Sequence, residues 1–426
     1  MSPSLGVGLI GAGTVGGEVA RQLLRQRTEF RRRTGVDLEL RRVAVRDGEK
    51  PRQGIDRALI TTQVDGLLDD PEIAIVVEVA GGEEPARSFL ERAVRNQKHV
   101  VTANKVVMAR HGHALLELAS EMNVEIAFEA AVGGGIPLVG TFKVDLVSNR
   151  LWRVTAIING TTNYMLTRMA QEGLTFEQAL AFAQREGYAE ADPTEDIEGH
   201  DAASKVAIMG SIAFGARLHP RDVYCEGITG VQTVDFRYAR DLGFTIKLVG
   251  RTVRTDRGIE AWVHPCMVPV AHPLAQVDGV QNAVFIEGDL VGEVALQGPG
   301  AGARPTTSAV IADLLDLSRR VQSGAIERHP FWFDDQPLVP MDEVWTGAYL
   351  RCTLLDRPGV LAEVARVFGE EGVSIASAIQ QDMAGEDSAE FVVTTHPAPD
   401  AALQRTRQRA AALPQVREVS SFLRVL

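Results

Sequence analysis

An apolar run, Leu5–Ile10, leads directly into Gly11-Ala12-Gly13-Thr14-Val15-Gly16, and a helical pattern, Gly16–Arg33, leaves it. Glycines at that spacing between a strand and a helix leave few folds open. Gly11 allows the tight turn out of the strand, Gly13 lets a ligand approach the backbone, and Gly16 lets helix and strand pack closely. The helix start adds N–H donors and a partial positive charge, a combination that holds a pyrophosphate. The alternation continues downstream. Leu38–Val45, Ile73–Val79, His99–Thr102 and Val124–Phe128 read as strands, with helices over Phe89–Asn96 and His111–Met122. Ile73–Val79 is apolar almost throughout and rich in β-branched residues, as a strand covered on both faces should be. This order predicts an α/β fold: a Rossmann-type doubly wound parallel sheet over residues 1–130 that binds a dinucleotide.

The end of the second strand decides which dinucleotide. An acidic residue there holds the ribose 2′-hydroxyl of NAD. Here the strand ends in Arg46, with Asp47 beside it and Lys50 shortly after. A guanidinium suits a 2′-phosphate through paired, charge-assisted hydrogen bonds. NADP is therefore the expected cofactor, with NAD possible through Asp47. Val100-Val101-Thr102-Ala103-Asn104-Lys105 places polar residues at the C-terminal end of a strand, the edge where ligands sit in open sheets. Lys105 opens a helix, where a cation is unfavourable, so it is read as a ligand contact and not as a surface lysine. Gly81, Thr102 and Lys105 join Gly11, Ala12, Gly13, Thr14, Val15, Gly16, Arg46 and Lys50 as expected cofactor contacts.

From Ala131 the pattern changes. The turn Val132-Gly133-Gly134-Gly135-Ile136-Pro137 is expected to precede a long helix from about Leu138. Strand-like runs follow at Arg153–Ile158, Thr245–Thr252, Glu260–Pro269 and Val284–Ile286, which predicts a second, α+β domain over residues 131–329 with its own sheet. A helix near residues 306–318 is expected to pack back against the first domain. Residues 330–347, punctuated by Pro and Asp, read as a linker. Residues 348–426 then parse as βαββαβ: Tyr349–Leu355, Val360–Glu371, Ser374–Gln381, Glu390–Thr395, Asp400–Leu413 and Val416–Leu426.

The densest polar stretch runs from Gly187 to Lys205 and enters an apolar helix at Val206. Asp201 and Lys205, four apart, share a helix face. An exposed ion pair has the same spacing. The apolar continuation Val206-Ala207-Ile208-Met209 argues instead for a lysine at the mouth of a buried helix, beside a carboxylate, which is a candidate acid/base pair.

Asn159-Gly160-Thr161-Thr162-Asn163-Tyr164, the Gly187–Lys205 segment, Glu129-Ala130-Ala131-Val132-Gly133-Gly134-Gly135-Ile136-Pro137 and Gly298-Pro299-Gly300-Ala301-Gly302 together resemble the homoserine dehydrogenases. With the opening glycine motif and Thr102–Lys105, the likeness spans the chain to about Ser318. It implies reversible NAD(P)H-dependent reduction of L-aspartate 4-semialdehyde to L-homoserine, a step towards threonine, isoleucine and methionine. On that resemblance Lys205 is the acid/base, Lys105 contacts substrate, Asp201 orients both, and Glu190 binds the substrate ammonium. Asp196 is placed with the substrate-binding residues, its role and that of His200 left open. Gly302 approaches the cofactor, and residues 131–329 bind substrate and dimerise. The resemblance also implies a monovalent cation, sodium, on backbone oxygens of Glu129, Val132, Gly134 and Ile136. The C-terminal unit resembles an ACT domain, with Gly359 in the turn Leu355-Asp356-Arg357-Pro358-Gly359-Val360-Leu361; threonine is the effector it suggests, in a homodimer or homotetramer.

The remaining bulk properties narrow the alternatives. A net charge of −12 disfavours nucleic acid and anionic membranes. No apolar run reaches membrane-spanning length, Met1–Ser4 lacks the basic start of a signal peptide, and a cytoplasmic location is expected. Three scattered cysteines, Cys225, Cys266 and Cys352, give neither a disulfide framework nor a zinc site. A phosphorylating aldehyde dehydrogenase would need one of them as nucleophile. A non-catalytic amino-acid sensor built from a nucleotide domain and an ACT domain is the other competing class; the polar residues from Glu190 to Lys205 speak against it.

Overall fold

The structure, a computed structural model, describes residues 4–325, 333–382 and 387–426, the side chain of Asp382 excepted. Met1–Pro3 and residues 326–332, where the expected second domain meets the expected linker, lie outside them. The chain divides into two compact units, residues 1–151, 207–220 and 287–335 in the first and residues 152–206, 221–286 and 336–426 in the second.

In the first unit, six strands form one sheet: β1 (Leu5–Ile10), β2 (Leu38–Ala44), β3 (Ile60–Thr61), β4 (Ile73–Glu78), β5 (His99–Thr102) and β6 (Ile126–Ala127). Their order is β3-β2-β1-β4-β5-β6 and every neighbouring pair is parallel, the doubly wound arrangement expected. Val7, Leu9, Val43, Ile75, Val77 and Val101 of these strands are buried with Val19, Leu23 and Phe30 of the helix Thr14–Thr34. The helix Ala303–Ser323 adds Ala309, Val310, Leu314 and Leu317 to the same core. A pattern of apolar residues three and four apart makes that helical face.

Three expectations need correction here. The helix read from His111 begins at Lys105, because the Asn104 side chain accepts the Val107 N–H at 3.1 Å and caps it there. The strand Val124–Phe128 shrinks to β6. No long helix leaves Leu138. Glu129 accepts the N–H groups of Leu138, Val139 and Gly140, which starts a helical turn, but only the short π-helical segment Thr141–Asp145 follows. Val144 and Val147 are exposed, so the segment has no continuous apolar stripe to bury.

The second unit is built on strands β7 (Leu151–Ile157), β8 (Tyr224–Cys225), β9 (Phe244–Thr255), β10 (Gly258–Pro269) and β11 (Gln281–Gly288). After β12 (Gly292–Pro299), which belongs to the first unit, come β13 (Trp345–Leu355), β14 (Ile375–Asp382), β15 (Ser388–Thr395), β16 (Ala398–Pro399) and β17 (Val416–Val425). With the helices Val360–Glu370 and Asp400–Ala411, the C-terminal residues make the βαββαβ unit read from the sequence. Helices Gly160–Glu172 and Phe176–Arg185, not anticipated as such, cover part of the sheet-bearing unit.

The C-terminal sheet is not separate. Strands run β11-β7-β9-β10-β17-β13-β15-β14, because β17 pairs in parallel with β10 through Cys266↔Arg424 and Met267↔Val425. Buried charge reinforces the junction. Arg351 of β13 donates to Asp235 at 2.8 Å, to Glu390 at 3.0 Å and to Gln232 at 2.7 Å. Tyr349 donates to the same Asp235 at 2.9 Å, and Tyr238 donates to Glu390. The described part of the punctuated segment is hydrogen-bonded as well: Asp334 N–H to Gly215 in the first unit, and Val339 N–H to Ile259 in the second. Among the described residues no helix is long and apolar enough to cross a membrane.

Candidate active site

Each unit carries its own set of functional side chains. In the first unit, β1 ends at Ile10 and Gly11 takes a φ of +94°, a region an L side chain rarely enters. A Cβ on Gly16 would lie 2.1 Å from the Gly11 carbonyl oxygen, so helix and turn are in direct backbone contact. Gly13 has nothing within 4 Å of where a Cβ would sit, and the following helix has no side-chain cap and no acidic residue in its first turn. Its leading N–H groups therefore face open space with the dipole's positive end, which fits a pyrophosphate. Ala12, Thr14 and Val15 line the same turn. Gly302, at φ +115°, starts the helix Ala303–Ser323, whose Thr307 reaches the Val15 carbonyl at 3.5 Å.

Beyond β2, Arg46 is exposed and makes no hydrogen bond or ion pair among the described residues. Asp47 is engaged in its own turn, one carboxylate oxygen accepting Glu49 N–H at 2.9 Å and Lys50 N–H at 3.3 Å. Lys50 is exposed. A guanidinium so exposed suits a 2′-phosphate, while Asp47 spends one of its two oxygens on its own turn.

Glu78 organises the rest of this edge, and sequence reading missed it. Fully buried at the end of β4, it accepts Ala80 N–H at 2.8 Å and Gly81 N–H at 3.3 Å on one oxygen, and the Thr102 hydroxyl at 2.8 Å on the other. Thr102 is itself buried, so its hydroxyl is committed to Glu78. Asn104 donates to the Gly82 carbonyl at 2.7 Å while capping the helix that Lys105 opens. The available signal was a carboxylate ending an otherwise apolar strand.

The glycine-rich turn lies in this unit too. The Glu129 carboxylate is taken by three backbone N–H groups, and its own N–H donates to Asp313 at 2.8 Å. Burial, and then the charge of Glu129, push the Asp313 carboxyl up to about 8. Val132, Gly134 and Ile136 are buried, and among the described residues no loop N–H donates to their carbonyls or to that of Glu129. A Cβ on Gly134 would lie 2.2 Å from the Gly300 carbonyl oxygen, so two backbone turns meet here. Unspent, buried carbonyls suit a hard cation.

In the second unit, Lys205 and Asp201 sit on the helix His200–Phe214 with side chains 11% and 3% exposed. The Lys205 ammonium donates to Asp201 at 2.7 Å and to the Ile158 carbonyl at 3.0 Å. An ammonium has three donors; the third has no partner among the described residues. Asn159, whose role was not foreseen, holds this group together. Its amide nitrogen donates to Asp201 at 2.8 Å and to Asp196 at 2.6 Å, while its oxygen accepts the Thr162 N–H at 2.8 Å and caps the helix Gly160–Glu172. Glu190 is exposed, with its carbonyl accepting from Gln184 at 3.1 Å, and His200 is exposed at the helix start. The structure thus brings Asp196, Asp201 and Lys205 together and leaves Glu190 and His200 outside the hydrogen-bonded cluster.

The thiols carry no such activation. Burial pushes Cys225 up to about 11 and Cys352 up to about 12, and Cys266 higher still.

Comparison with known proteins agrees with this arrangement. Residues 11–129 match the NAD-binding domain of homoserine dehydrogenase, residues 137–315 match the homoserine dehydrogenase domain, and residues 348–415 match the ACT domain. The homoserine dehydrogenase of Neisseria gonorrhoeae is 41% identical over 396 residues, covering 92% of this chain and 91% of the other. The crystal structure of a homoserine dehydrogenase from Thiobacillus denitrificans is 40% identical with a TM-score of 0.94, covering 100% of this chain and 98% of that one. A hyperthermophilic archaeal homoserine dehydrogenase mutant in complex with NADPH is 28% identical with a TM-score of 0.64, covering 74% of this chain and 98% of that one. With all three thiols shifted away from thiolate, iodoacetamide at neutral pH should leave the catalytic rate unchanged; inactivation in step with labelling would point to a thiol nucleophile.

Proposed function

The chain belongs to the homoserine dehydrogenase family, an NAD(P)-dependent oxidoreductase interconverting L-aspartate 4-semialdehyde and L-homoserine, and on that premise we propose that Lys205 is its acid/base. The observation that carries this is the Lys205 ammonium, held by Asp201 and the Ile158 carbonyl with one N–H left over among the described residues. When bound, the reduced dinucleotide supplies the hydride to the aldehyde carbon. Lys205 gives its free N–H proton to the oxygen of that carbon, and the resulting amine takes a proton back when homoserine is oxidised. Asp201, itself fixed by Asn159, keeps the ammonium aimed. Asp196 shares that amide and supports the substrate pocket. Glu190 offers an exposed carboxylate to the substrate ammonium, and Lys105 contacts substrate from the head of its helix.

The cofactor is held by residues Gly11–Gly16, Gly81 and Gly302, with Thr102 acting through Glu78. Arg46, with Lys50, selects NADP. We assign residues 1–130, closed by the helix Ala303–Ser323, to the cofactor, residues 131–329 to substrate and dimerisation, residues 330–347 to a linker, and residues 348–426 to regulation. The active species is a homodimer or homotetramer, its mass to be read by light scattering.

Turnover of homoserine with NADP and with NAD tests the core of this reading. Lys205→Ala should lose about 10²–10⁴-fold in kcat with dinucleotide binding intact. Arg46→Ala should raise KM for NADP by about 10-fold or more and leave KM for NAD unchanged, as the loss of a charged hydrogen bond predicts. Full activity of Lys205→Ala, or equal effects on both cofactors, would refute the respective assignment.

Threonine binds the C-terminal domain near Gly359, whose φ of +92° shapes the turn into the helix Val360–Glu370, and lowers the rate. A threonine titration that leaves the rate flat overturns this. Sodium sits on the carbonyls of Glu129, Val132, Gly134 and Ile136. The melting temperature should then be higher in sodium chloride than in choline chloride of equal ionic strength, and identical curves would remove the ion from the site.

A further inference from the structure

We propose that Arg424, on the last strand of the C-terminal domain, is a positioning residue for the catalytic helix. Its guanidinium is 1% exposed, although it lies at the end of the chain in a strand that reads as half polar. It donates to Asp400 at 2.7 and 3.2 Å, to Glu226 at 2.9 Å and to the Tyr224 hydroxyl at 3.1 Å. Tyr224 in turn donates to Glu226. One cation therefore ties the helix Asp400–Ala411 of its own domain to residues 224–226 of the neighbouring one.

Those residues press on the turn that launches the catalytic helix. β8 pairs with β10 through Trp262↔Tyr224 and Val263↔Cys225, and Glu226 N–H donates to Val263 at 2.8 Å, so the 224–226 segment is itself anchored. A Cβ on Gly227 would lie 2.3 Å from the Ile197 carbonyl oxygen, and Ile228 N–H donates to that same oxygen at 2.8 Å. The Cys225 thiol donates to the Glu198 carbonyl at 3.3 Å, and a Cβ on Gly199 would lie 2.9 Å from the Cys225 sulfur. Gly199 then accepts the first backbone bond of the helix that holds Asp201 and Lys205, from Ala203 N–H at 2.9 Å. On the other side of the same turn stands Asp196, bonded to Asn159.

The route is contiguous: Arg424, Glu226, the 225–228 backbone, the 197–199 turn, then Asp201 and Lys205. Each link is a hydrogen bond or a backbone contact with no room for slack, the kind of path along which a small displacement is passed on. A shift of the Lys205 ammonium by a fraction of an ångström costs rate without costing binding. The C-terminal domain thus contributes a residue to the geometry of the reaction, and any ligand that moves β17 acts on the same lever. The other buried charge group at this junction, around Arg351, grips Gln232 and the helix Thr233–Asp241, and it reaches the turn only by a longer way, through Val231 N–H on the Ile228 carbonyl.

The test uses the full-length enzyme. Glu226→Gln removes the charge that Arg424 holds while keeping the side chain's shape; its side chain is 38% exposed, so the variant should fold even if Arg424→Gln does not. Expected are a fall in kcat of about 10-fold, an unchanged KM for NADP, and Arg424→Lys lying between parent and Arg424→Gln in kcat. Asp235→Asn, which cuts the Arg351 group, should lower the melting temperature and leave kcat unaltered. Unchanged kcat in folded Glu226→Gln, or equal kcat losses in Glu226→Gln and Asp235→Asn, overturns the proposal. It rests on Lys205 as the acid/base: a fully active Lys205→Ala would sink that reading while leaving a selective kcat loss in Glu226→Gln to be explained by another group on the same helix.

Discussion

A guanidinium taken out of water must meet carboxylates, or the state that buries it is not populated. In the second unit two such groups, Arg351 and Arg424, lie on neighbouring strands β13 and β17. Each finds one partner inside the C-terminal domain and one outside it: Glu390 and Asp235 for Arg351, Asp400 and Glu226 for Arg424. Removing a buried partner of such a group, Asp235 or Asp400, costs about 3–5 kcal/mol, because the remaining charge stays buried. The requirement is mutual. The C-terminal domain draws on Asp235 and Glu226 to bury its arginines, and those carboxylates stand outside it, on the helix Thr233–Asp241 and just after β8. This explains why the β10–β17 pairing, short as it is, joins the two into one sheet.

Much of the first unit was legible because its determinants are local. A strand, a turn of spaced glycines and a helix are all decided within about one turn of sequence by backbone sterics and helix-end chemistry. Lys205 and Asp201 were legible for the same reason, since their i, i+4 spacing is a property of the helix alone. Arg424 was not. It sits among Val416, Leu423 and Val425 in a strand whose alternation would put it towards solvent, and only the distant Glu226 and Asp400 reverse that. Glu78 and Asn159 escaped likewise: their importance lies in which N–H groups fold onto them. The helix wrongly expected after Leu138 shows the converse. Gly140 and the β-branched Val139, Thr141, Val144 and Val147 are poor helix formers, and with Val144 and Val147 exposed no packing made up for that.

Asn159 shows how far fold and chemistry share atoms. An amide has one acceptor oxygen and two donor hydrogens, and here the oxygen closes the N-terminus of the helix Gly160–Glu172 while the nitrogen serves two carboxylates. That nitrogen stands between two carboxylates, Asp196 and Asp201, the second of which is paired with Lys205. Like charges so placed either separate or take up a proton. The amide eases the conflict by donating to both, and Asp201 still accepts from the Lys205 ammonium. The residue that caps the helix is therefore also one that holds the Asp201–Lys205 pair in place. Neither task was read from the sequence: the cap depends only on neighbours in the chain, but the carboxylates arrive from a segment more than thirty residues away.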